Sequence, residues 1–320
     1  MAERMNRHSS DSALHNAPMP GIHQRLVEEQ KRLSAARPIL QFLMANQDRA
    51  MFSDEVIATL RGMISHLARQ LLQELAIEDA DPSAFVAEHE ETLCQLIASD
   101  GAFLDHAHAF ALEGRFTERL LRQSEIDPVL TPLLKELAAS PDADKAQDAM
   151  HLMASQARFV QQMRRMELPL TELPAEIYHR LLLAMRKVAT SKQQALRAET
   201  HLRETYDEAA SRLGQLTKLA LTLAEEMPAK LAIQDFGFAI FATRLAMASG
   251  QDRVSVILSM SNNQITRFAG IARLAGLKEQ QVYEQLLFLH PEKTGDTDLS
   301  GLERLGRSDL IELLGSRAEG

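Results

Sequence analysis

The chain has 320 residues, of which 45% are hydrophobic and 25% charged, so it carries enough apolar material for a large core. Its net charge of −9 argues against a protein that coats nucleic acid or anionic lipid with its whole surface. A single cysteine excludes an internal disulfide framework and a cysteine-based structural zinc site. Tryptophan is absent and tyrosine occurs three times, while leucine and alanine abound, which favours helices over strands.

The N-terminal residues 1–18 are polar and predict a disordered tail rather than a secretory signal, because they contain no apolar core. The most apolar stretch, 236–248, is too short for a membrane span and carries Arg244. We therefore expect a cytoplasmic protein without membrane association. Cys94 lies in an apolar helical pattern and is interpreted as a packed side chain rather than a nucleophile.

After the tail, apolar residues recur at steps of three and four, as in the stripe from Val56 to Leu75, with Ser53 as its expected N-cap. About ten to twelve helices are predicted, with some neighbouring spans fused. The approximate spans are 22–36, 38–47, 54–76, 82–99, 102–113, 115–124, 128–139, 141–166, 174–189, 191–226, 229–249, 251–260, 262–275, 278–289 and 301–314. No stretch alternates long enough for a strand. The predicted fold is all-α, a repeat-like multi-helix array of antiparallel helix pairs, either HEAT-like or an irregular bundle.

Capping residues and glycines mark the predicted starts and ends of several helices. Asp81-Pro82, Asp127-Pro128 and Ser140-Pro141 each predict a helix start, because the side-chain oxygen can accept a free backbone N–H and proline suits the first turn. The box Ser261 to Gln264 predicts another start. Helix ends are expected near the glycines Gly101, Gly114, Gly250 and Gly276.

The pattern also predicts an organisation into four parts. They are a tail at 1–18, a helical region at 19–140, a repeat-like domain at 141–290, and a linker with a short final helix at 291–320. The repeat consists of 241–246 and its echo 270–275, each followed by a glycine, with a fainter copy at 109–114. Each such unit is a helix pair that must stack on a neighbour to bury its apolar face.

Charge is distributed unevenly. The stretch 74–113 holds ten acids and neither lysine nor arginine, whereas 158–203 holds nine bases against four acids. One interpretation is a docking surface for an acidic partner. The alternative is that these charges form solvated faces or pair with each other. The residues predicted to form this basic rim are Arg164, Arg165, Arg186, Lys187 and Lys192.

The segment 268–287 resembles a helix-turn-helix. Lys278, Gln280 and Gln281 are its candidate DNA contacts, but two glutamates on the same helix oppose binding to phosphates. Structural packing is the favoured interpretation, and nucleic acid is not the expected partner.

His89, His106 and His108 are the candidates for a metal or catalytic site, yet no metal-binding or catalytic motif surrounds them. Neither a metal nor a cofactor is predicted. An enzyme with an unrecognised site stays open as an alternative.

The segments 172–177, 235–239, 245–250 and 272–277 together resemble domain-of-unknown-function family 2336, a bacterial all-helical family known mainly from alphaproteobacteria. The resemblance covers about 130–290. It implies a compact, repeat-like helical domain, and it transfers no functional residues.

The sequence as a whole favours a non-enzymatic interaction module, or adaptor, that holds a protein partner in a groove between stacked helices. A DNA-binding regulator and an unrecognised enzyme are the alternatives. A long helix through Leu196, Leu213, Leu216, Leu219 and Leu223 could also form a seam for homo-oligomers.

Overall fold

The computed structural model describes residues 21–45, 54–227, 231–292, 299 and 301–315. Within these ranges the chain forms fourteen α-helices and no β-strand, which confirms the all-α prediction. The helices are α1 (Ile22–Ala45), α2 (Asp54–Leu75), α3 (Pro82–Ala98), α4 (Gly101–Ser124), α5 (Pro132–Ala138), α6 (Ala143–Arg165), α7 (Ala175–Val188), α8 (Lys192–Thr205), α9 (Arg212–Glu226), α10 (Ile233–Ser249), α11 (Arg253–Ser259), α12 (Ile265–Leu274), α13 (Glu279–Leu289) and α14 (Arg307–Leu314). The predicted tail, the Ser53 cap and most of the predicted linker 291–300 lie outside the described residues.

Side-chain caps set several helix starts, though not all where the sequence predicts them. Asp81 accepts from the backbone of the third helical residue at 3.0 Å and begins α3 as expected. Asp127 instead closes a turn, and Thr131 caps α5. Asp142, rather than Ser140, caps α6. The predicted starts at 128 and 141 are therefore wrong by a few residues, because a second capping side chain follows closely in each case.

Two predicted helix breaks are absent. The first two predicted helices join into α1 with Pro38 inside it, and Gly114 lies in the interior of α4 rather than at its end. A Cβ at Gly114 would lie 2.9 Å from the sulfur of Met163 on α6, so this glycine serves close helix packing. The faint third copy of the repeat at 109–114 is therefore wrong.

One predicted helix is in fact two. The expected span 191–226 is interrupted at 206–211, where Asp207 accepts backbone N–H groups of a turn and Ser211 caps α9. Leu216 and Leu223 are buried in the core, while Leu196 is exposed on α8. The predicted continuous seam is wrong, because Leu196 lies on α8 and the other four leucines lie on α9, beyond the break. Self-association itself stays a prediction.

The two clear copies of the repeat share the junction between their helices, although the helices differ in length. Gly250 follows α10 with φ 71° and Gly276 follows α12 with φ 95°, and each left-handed glycine leads into the next helix. The units α10–α11 and α12–α13 are thus both helix pairs joined at a glycine.

Within the described ranges, the core consists of two hydrophobic clusters. The α2 cluster centres on α2, α3, α7 and α8, and the α10 cluster centres on α9 to α14. Helix α4 contributes Phe110 to the α2 cluster and Phe116 to the α10 cluster, and α6 likewise contributes Phe159 and Leu152. The boundary between the clusters therefore does not coincide with the predicted domain boundary at 140.

The break before α9 leads to a prediction about Gly214. A Cβ there would lie 2.7 Å from the Ala209 carbonyl oxygen and closer still to that of Glu208. We expect Gly214→Ala to lower the free energy of unfolding by about 1–3 kcal/mol, although alanine favours helices by about 1 kcal/mol. Urea denaturation measures this.

Gly270→Ala is the matched control, because its Cβ would make an ordinary contact of 3.4 Å with a leucine side chain. It should leave stability unchanged or raise it slightly. Equal stability of both variants would contradict the packing assigned to the break.

Candidate functional site

A buried ionic cluster lies where the two hydrophobic clusters meet. Glu113 on α4 is fully buried and receives two guanidinium groups at once. Arg212, at the start of α9, donates to its two carboxylate oxygens at 2.8 and 3.0 Å. Arg253, at the start of α11, donates to the same oxygens at 3.0 and 2.8 Å. One carboxylate thus ties three helices together through four charge-assisted hydrogen bonds.

The surroundings of Arg212 compensate its burial. Its guanidinium lies 3.8 Å from the ring centroid of Phe159 and 5.5 Å from that of Phe110. Its Nη1 also donates to Gln156 at 2.8 Å, and its backbone N–H donates to Glu172 at 2.9 Å. Stacking and hydrogen bonding together replace much of the hydration that the charge loses on folding.

The ionic cluster stabilises the fold and is not suited to proton transfer. Burial alone raises the pKa of Glu113, but Arg212 and Arg253 outweigh it and hold that pKa down at about 2. The carboxylate therefore stays ionised at physiological pH, and its oxygens are already engaged by the arginines.

An open cleft lies between α1, α4 and the turn that joins α11 to α12. We call it the arginine cleft, and its volume is about 720 Å³, in the range of ligand pockets. Four of its lining residues are arginines: Arg32 on α1, and Arg115, Arg119 and Arg122 on α4. The last three follow at steps of four and three, which places them on one face of α4.

Two glutamates partly balance these arginines. Arg115 lies 3.6 Å from Glu55, and Arg122 pairs with Glu118 on its own helix. Counting the lining side chains, four arginines against two glutamates leave a charge of 4 − 2 = +2 in the cleft of a protein whose net charge is −9. Arg119 is the only one of the four that is half-buried rather than exposed: it stacks on Phe116 at 4.8 Å, and its guanidinium already donates to the Leu289 backbone carbonyl at the end of α13.

The floor of the cleft is mixed. Leu112, Phe116 and Leu258 supply apolar surface, and the turn at 261–264 supplies hydroxyl and amide groups. Apolar contacts with a few polar anchors are typical of a recognition site.

Helix α1 forms one wall of the cleft and is held by polar contacts. Glu29 is buried and accepts from the backbone N–H groups of Thr266 and Arg267, at 3.3 and 2.6 Å. It thereby caps α12, whose N-cap residue Gln264 makes no side-chain cap of its own. The start predicted at Ser261 is corrected accordingly.

The acidic and basic stretches meet in the fold. Arg180 donates to Asp100 at 2.7 Å, Arg197 pairs with Glu78, and His201 lies 2.8 Å from Glu74. Part of the charge that the sequence shows is therefore neutralised internally, as the alternative interpretation expected.

The five predicted rim residues are all exposed, at the ends of α6 and α7 and the start of α8. Arg186 is bound to Glu199 at 2.5 Å, and Arg203 shares that carboxylate. Of the rim, Arg164, Arg165, Lys187 and Lys192 form no ion pair among the residues described. Their role in docking stays a prediction.

The helix-turn-helix segment uses its glutamines internally. Gln281 accepts from the Lys278 backbone N–H at 2.9 Å, and Gln280 donates to Glu284 at 3.2 Å. Gln285 is buried and caps the start of α10 through Ile233, at 2.8 Å. This arrangement favours packing over base recognition, because the amides already have partners.

The three candidate histidines do not converge. His89 stacks on Phe85, His106 lies near Phe110 beside the ionic cluster, and His108 lines the arginine cleft. Among the described residues no group of three His, Cys, Asp or Glu side chains could hold a metal ion.

Cys94 is half-buried, and burial together with Glu90 raises its pKa to about 11. The thiol therefore stays protonated at neutral pH, in agreement with its interpretation as a packing residue.

Neither the ionic cluster around Glu113 nor the arginine cleft is predicted from the sequence. The spacing of Arg115, Arg119 and Arg122 was the available signal for the cleft, but it marks only one wall.

Comparison with known proteins gives no match: no family model, no curated protein and no solved structure resembles this chain significantly. The resemblance to domain-of-unknown-function family 2336 therefore stays a prediction. In the part of the chain that the structure covers, no helix is both long and apolar enough to span a membrane.

The ionic cluster predicts a large effect of a small change. We expect Glu113→Gln to lower the free energy of unfolding by about 3–5 kcal/mol, because it leaves two arginines without their countercharge. Chemical denaturation of purified protein measures the loss. Glu118→Gln, an exposed change on the same helix, should cost less than about 1 kcal/mol. Similar losses in the two variants would contradict the importance of the buried carboxylate.

The buried histidines predict a pH dependence. Burial lowers the pKa of both His106 and His108 to about 4, with smaller contributions from Arg253 and Arg115 respectively. Between pH 6.5 and 4 the unfolded chain binds protons that the folded chain does not, so stability falls as pH falls, by up to about 3 kcal/mol per histidine.

The loss should be visible in unfolding curves at a series of pH values. His106→Leu should reduce the slope of stability against pH in this window by roughly half. The reason is that only His108 then binds a proton in the unfolded chain that it does not bind in the folded chain. A flat wild-type profile would contradict the assigned burial. The loss of stability that follows from protonation of Glu113 occurs at lower pH, between 4.5 and 2.

Proposed function

We propose that this chain is a cytoplasmic, non-enzymatic interaction module that binds an acidic segment of a partner protein in the arginine cleft. The observation that carries the proposal is the convergence of four arginines on an open cleft with an apolar floor, in a protein that is otherwise acidic. Opposite charge steers such a segment to the cleft, and apolar contacts then retain it.

The cleft fits the groove between stacked helices that the sequence favours, but its position differs from the predicted rim. Arg32 and Arg122 are exposed at its edge, whereas Arg164 and Arg165 lie at the end of α6. The chain's own N-terminal residues 1–20 are a poorer occupant on charge grounds, because Glu3 and Asp11 are balanced by Arg4 and Arg7.

Charge reversal distinguishes the cleft from the rim. The probe is a fluorescent synthetic peptide of alternating leucine and glutamate, and its binding is followed by anisotropy. Arg32→Glu with Arg122→Glu should weaken binding at least about tenfold, or about 1.4 kcal/mol, and added salt should weaken wild-type binding. Arg164→Glu with Arg165→Glu makes the same change in charge elsewhere and should leave affinity within about twofold.

A larger loss in the Arg164/Arg165 pair would move the docking surface to the predicted rim. Recognition of acidic segments would be refuted if the wild-type protein did not bind the peptide. It would also be refuted if charge reversal at Arg32 and Arg122 weakened binding of a peptide with glutamine in place of glutamate by the same factor. Size-exclusion chromatography of each variant checks that a change of oligomeric state does not cause the weaker binding of the peptide.

A further inference from the structure

The last helix, α14, packs on α12 and α1 through a small apolar contact. Of its side chains only Leu310 and Leu314 are buried, and a Cβ at Gly270 of α12 would lie 3.6 and 3.4 Å from them. A helix this short is not stable alone in water, so α14 keeps its form through this packing. Terminal elements with little buried surface open at a free energy below that of global unfolding, so α14 can leave α12 while the rest stays folded.

One buried arginine connects α14 to α1. Arg267 on α12 is 3% exposed, and its guanidinium donates to the Leu314 carbonyl at 2.7 Å and to the side chain of Gln30 on α1. Its backbone N–H donates to the neighbouring Glu29 at 2.6 Å. When α14 leaves, Arg267 loses the Leu314 acceptor and gains access to water. Because a guanidinium is better solvated there, it can turn outward and release Gln30.

Helix α1 depends on such contacts, because little of it is buried. Among its described side chains only four are buried, those of Ile22, Leu26, Glu29 and Leu40. The part of α1 that lines the arginine cleft begins two positions after Gln30, with Arg32 and Leu33. Release of Gln30 therefore loosens the wall of the cleft and the position of Arg32.

We propose that α14 regulates the arginine cleft. While α14 is docked, Arg267 holds α1 as a wall of the cleft, and when α14 opens, α1 loosens and the acidic segment binds more weakly. The coupling depends on one guanidinium whose contacts differ between the two states. This inference rests on the proposed function and adds the regulation of the same site.

Two serine substitutions in the full chain test the link to α1. Leu310→Ser removes a buried anchor of α14, whereas Ile311→Ser makes a similar change on a side chain that is 36% exposed. We expect Leu310→Ser to speed amide hydrogen exchange around Gln30 at least about fivefold, and Ile311→Ser to change it by less than about twofold. Helices α7 and α8, which belong to the α2 cluster, should exchange at wild-type rates in both variants. Unchanged exchange in α1, or an equal rise in α7 and α8, would overturn the inference.

Peptide binding tests the consequence for the cleft. Leu310→Ser should weaken binding of the fluorescent leucine–glutamate peptide at least about threefold, and Ile311→Ser should leave it unchanged. Faster exchange in α1 with unchanged affinity would overturn the inference and leave the proposed function intact. Absence of binding to the wild-type protein would refute the proposed function and, with it, the regulation.

The wild-type protein allows a test without any substitution. Because coupling between two sites is reciprocal, saturating peptide should slow amide exchange within α14 at least about threefold. Unchanged exchange in α14 would overturn the inference.

A double substitution tests the route through Arg267. Gln30→Ala removes the acceptor on α1 and should itself weaken peptide binding, whereas Gln24→Ala, an exposed change on the same helix, should not. Adding Leu310→Ser to Gln30→Ala should then weaken binding by a smaller factor than it does in the wild type, because the link is already broken. An undiminished factor would overturn the route.

Discussion

The bonds between Glu113, Arg212 and Arg253 fix the relation of the two hydrophobic clusters. Moving these charges out of water is unfavourable by several kcal/mol per ion, so the arrangement is stable only while all partners remain in place. Helices α4, α9 and α11 meet at this carboxylate, and a shift of any one would expose or unpair a buried charge. The cluster therefore sets the position and rotation of α4 more strictly than apolar contacts alone would.

That constraint carries through to the arginine cleft. Arg115, Arg119 and Arg122 lie on α4 roughly opposite Glu113, as the helical rotation of about 100° per residue requires. Burial of Glu113 on one side thus places the three arginines on the opposite side of α4, where they line the cleft and where Arg119 also donates to Leu289 at the end of α13. The rotation that satisfies the buried acid is the same one that assembles the cleft.

Much of the helical content could be predicted from sequence, because it depends on local periodicity and capping. Gly250 and Gly276 are examples, since a left-handed residue after a helix is a local requirement that glycine meets. The break between α8 and α9 could not be predicted from its apolar pattern, which continues through it. It depends on two local features that this pattern does not show: the Ser211 cap, and the close approach of the Gly214 backbone to the carbonyl groups of Glu208 and Ala209.

The candidate site was harder to predict than the fold because its residues are far apart in sequence. Arg212 reaches a carboxylate 99 positions earlier, and Arg253 reaches the same group from 140 positions away. The charge imbalance between 74–113 and 158–203 drew attention to exposed arginines such as Arg164. It did not show that several of those charges neutralise one another.

The cap on α12 determines how an anion can be recognised in the cleft. A free helix N-terminus would attract a carboxylate through its backbone N–H groups. Glu29 already takes the N–H groups of Thr266 and Arg267, so the first turn of α12 is occupied from within the chain. Under the proposed function, recognition of an acidic segment then depends on the guanidinium groups, whose attraction at the exposed edge of the cleft is screened by salt. Contacts with the apolar floor of the cleft are less sensitive to ionic strength, so under this proposal the balance between charge attraction and apolar burial sets the selectivity of the cleft.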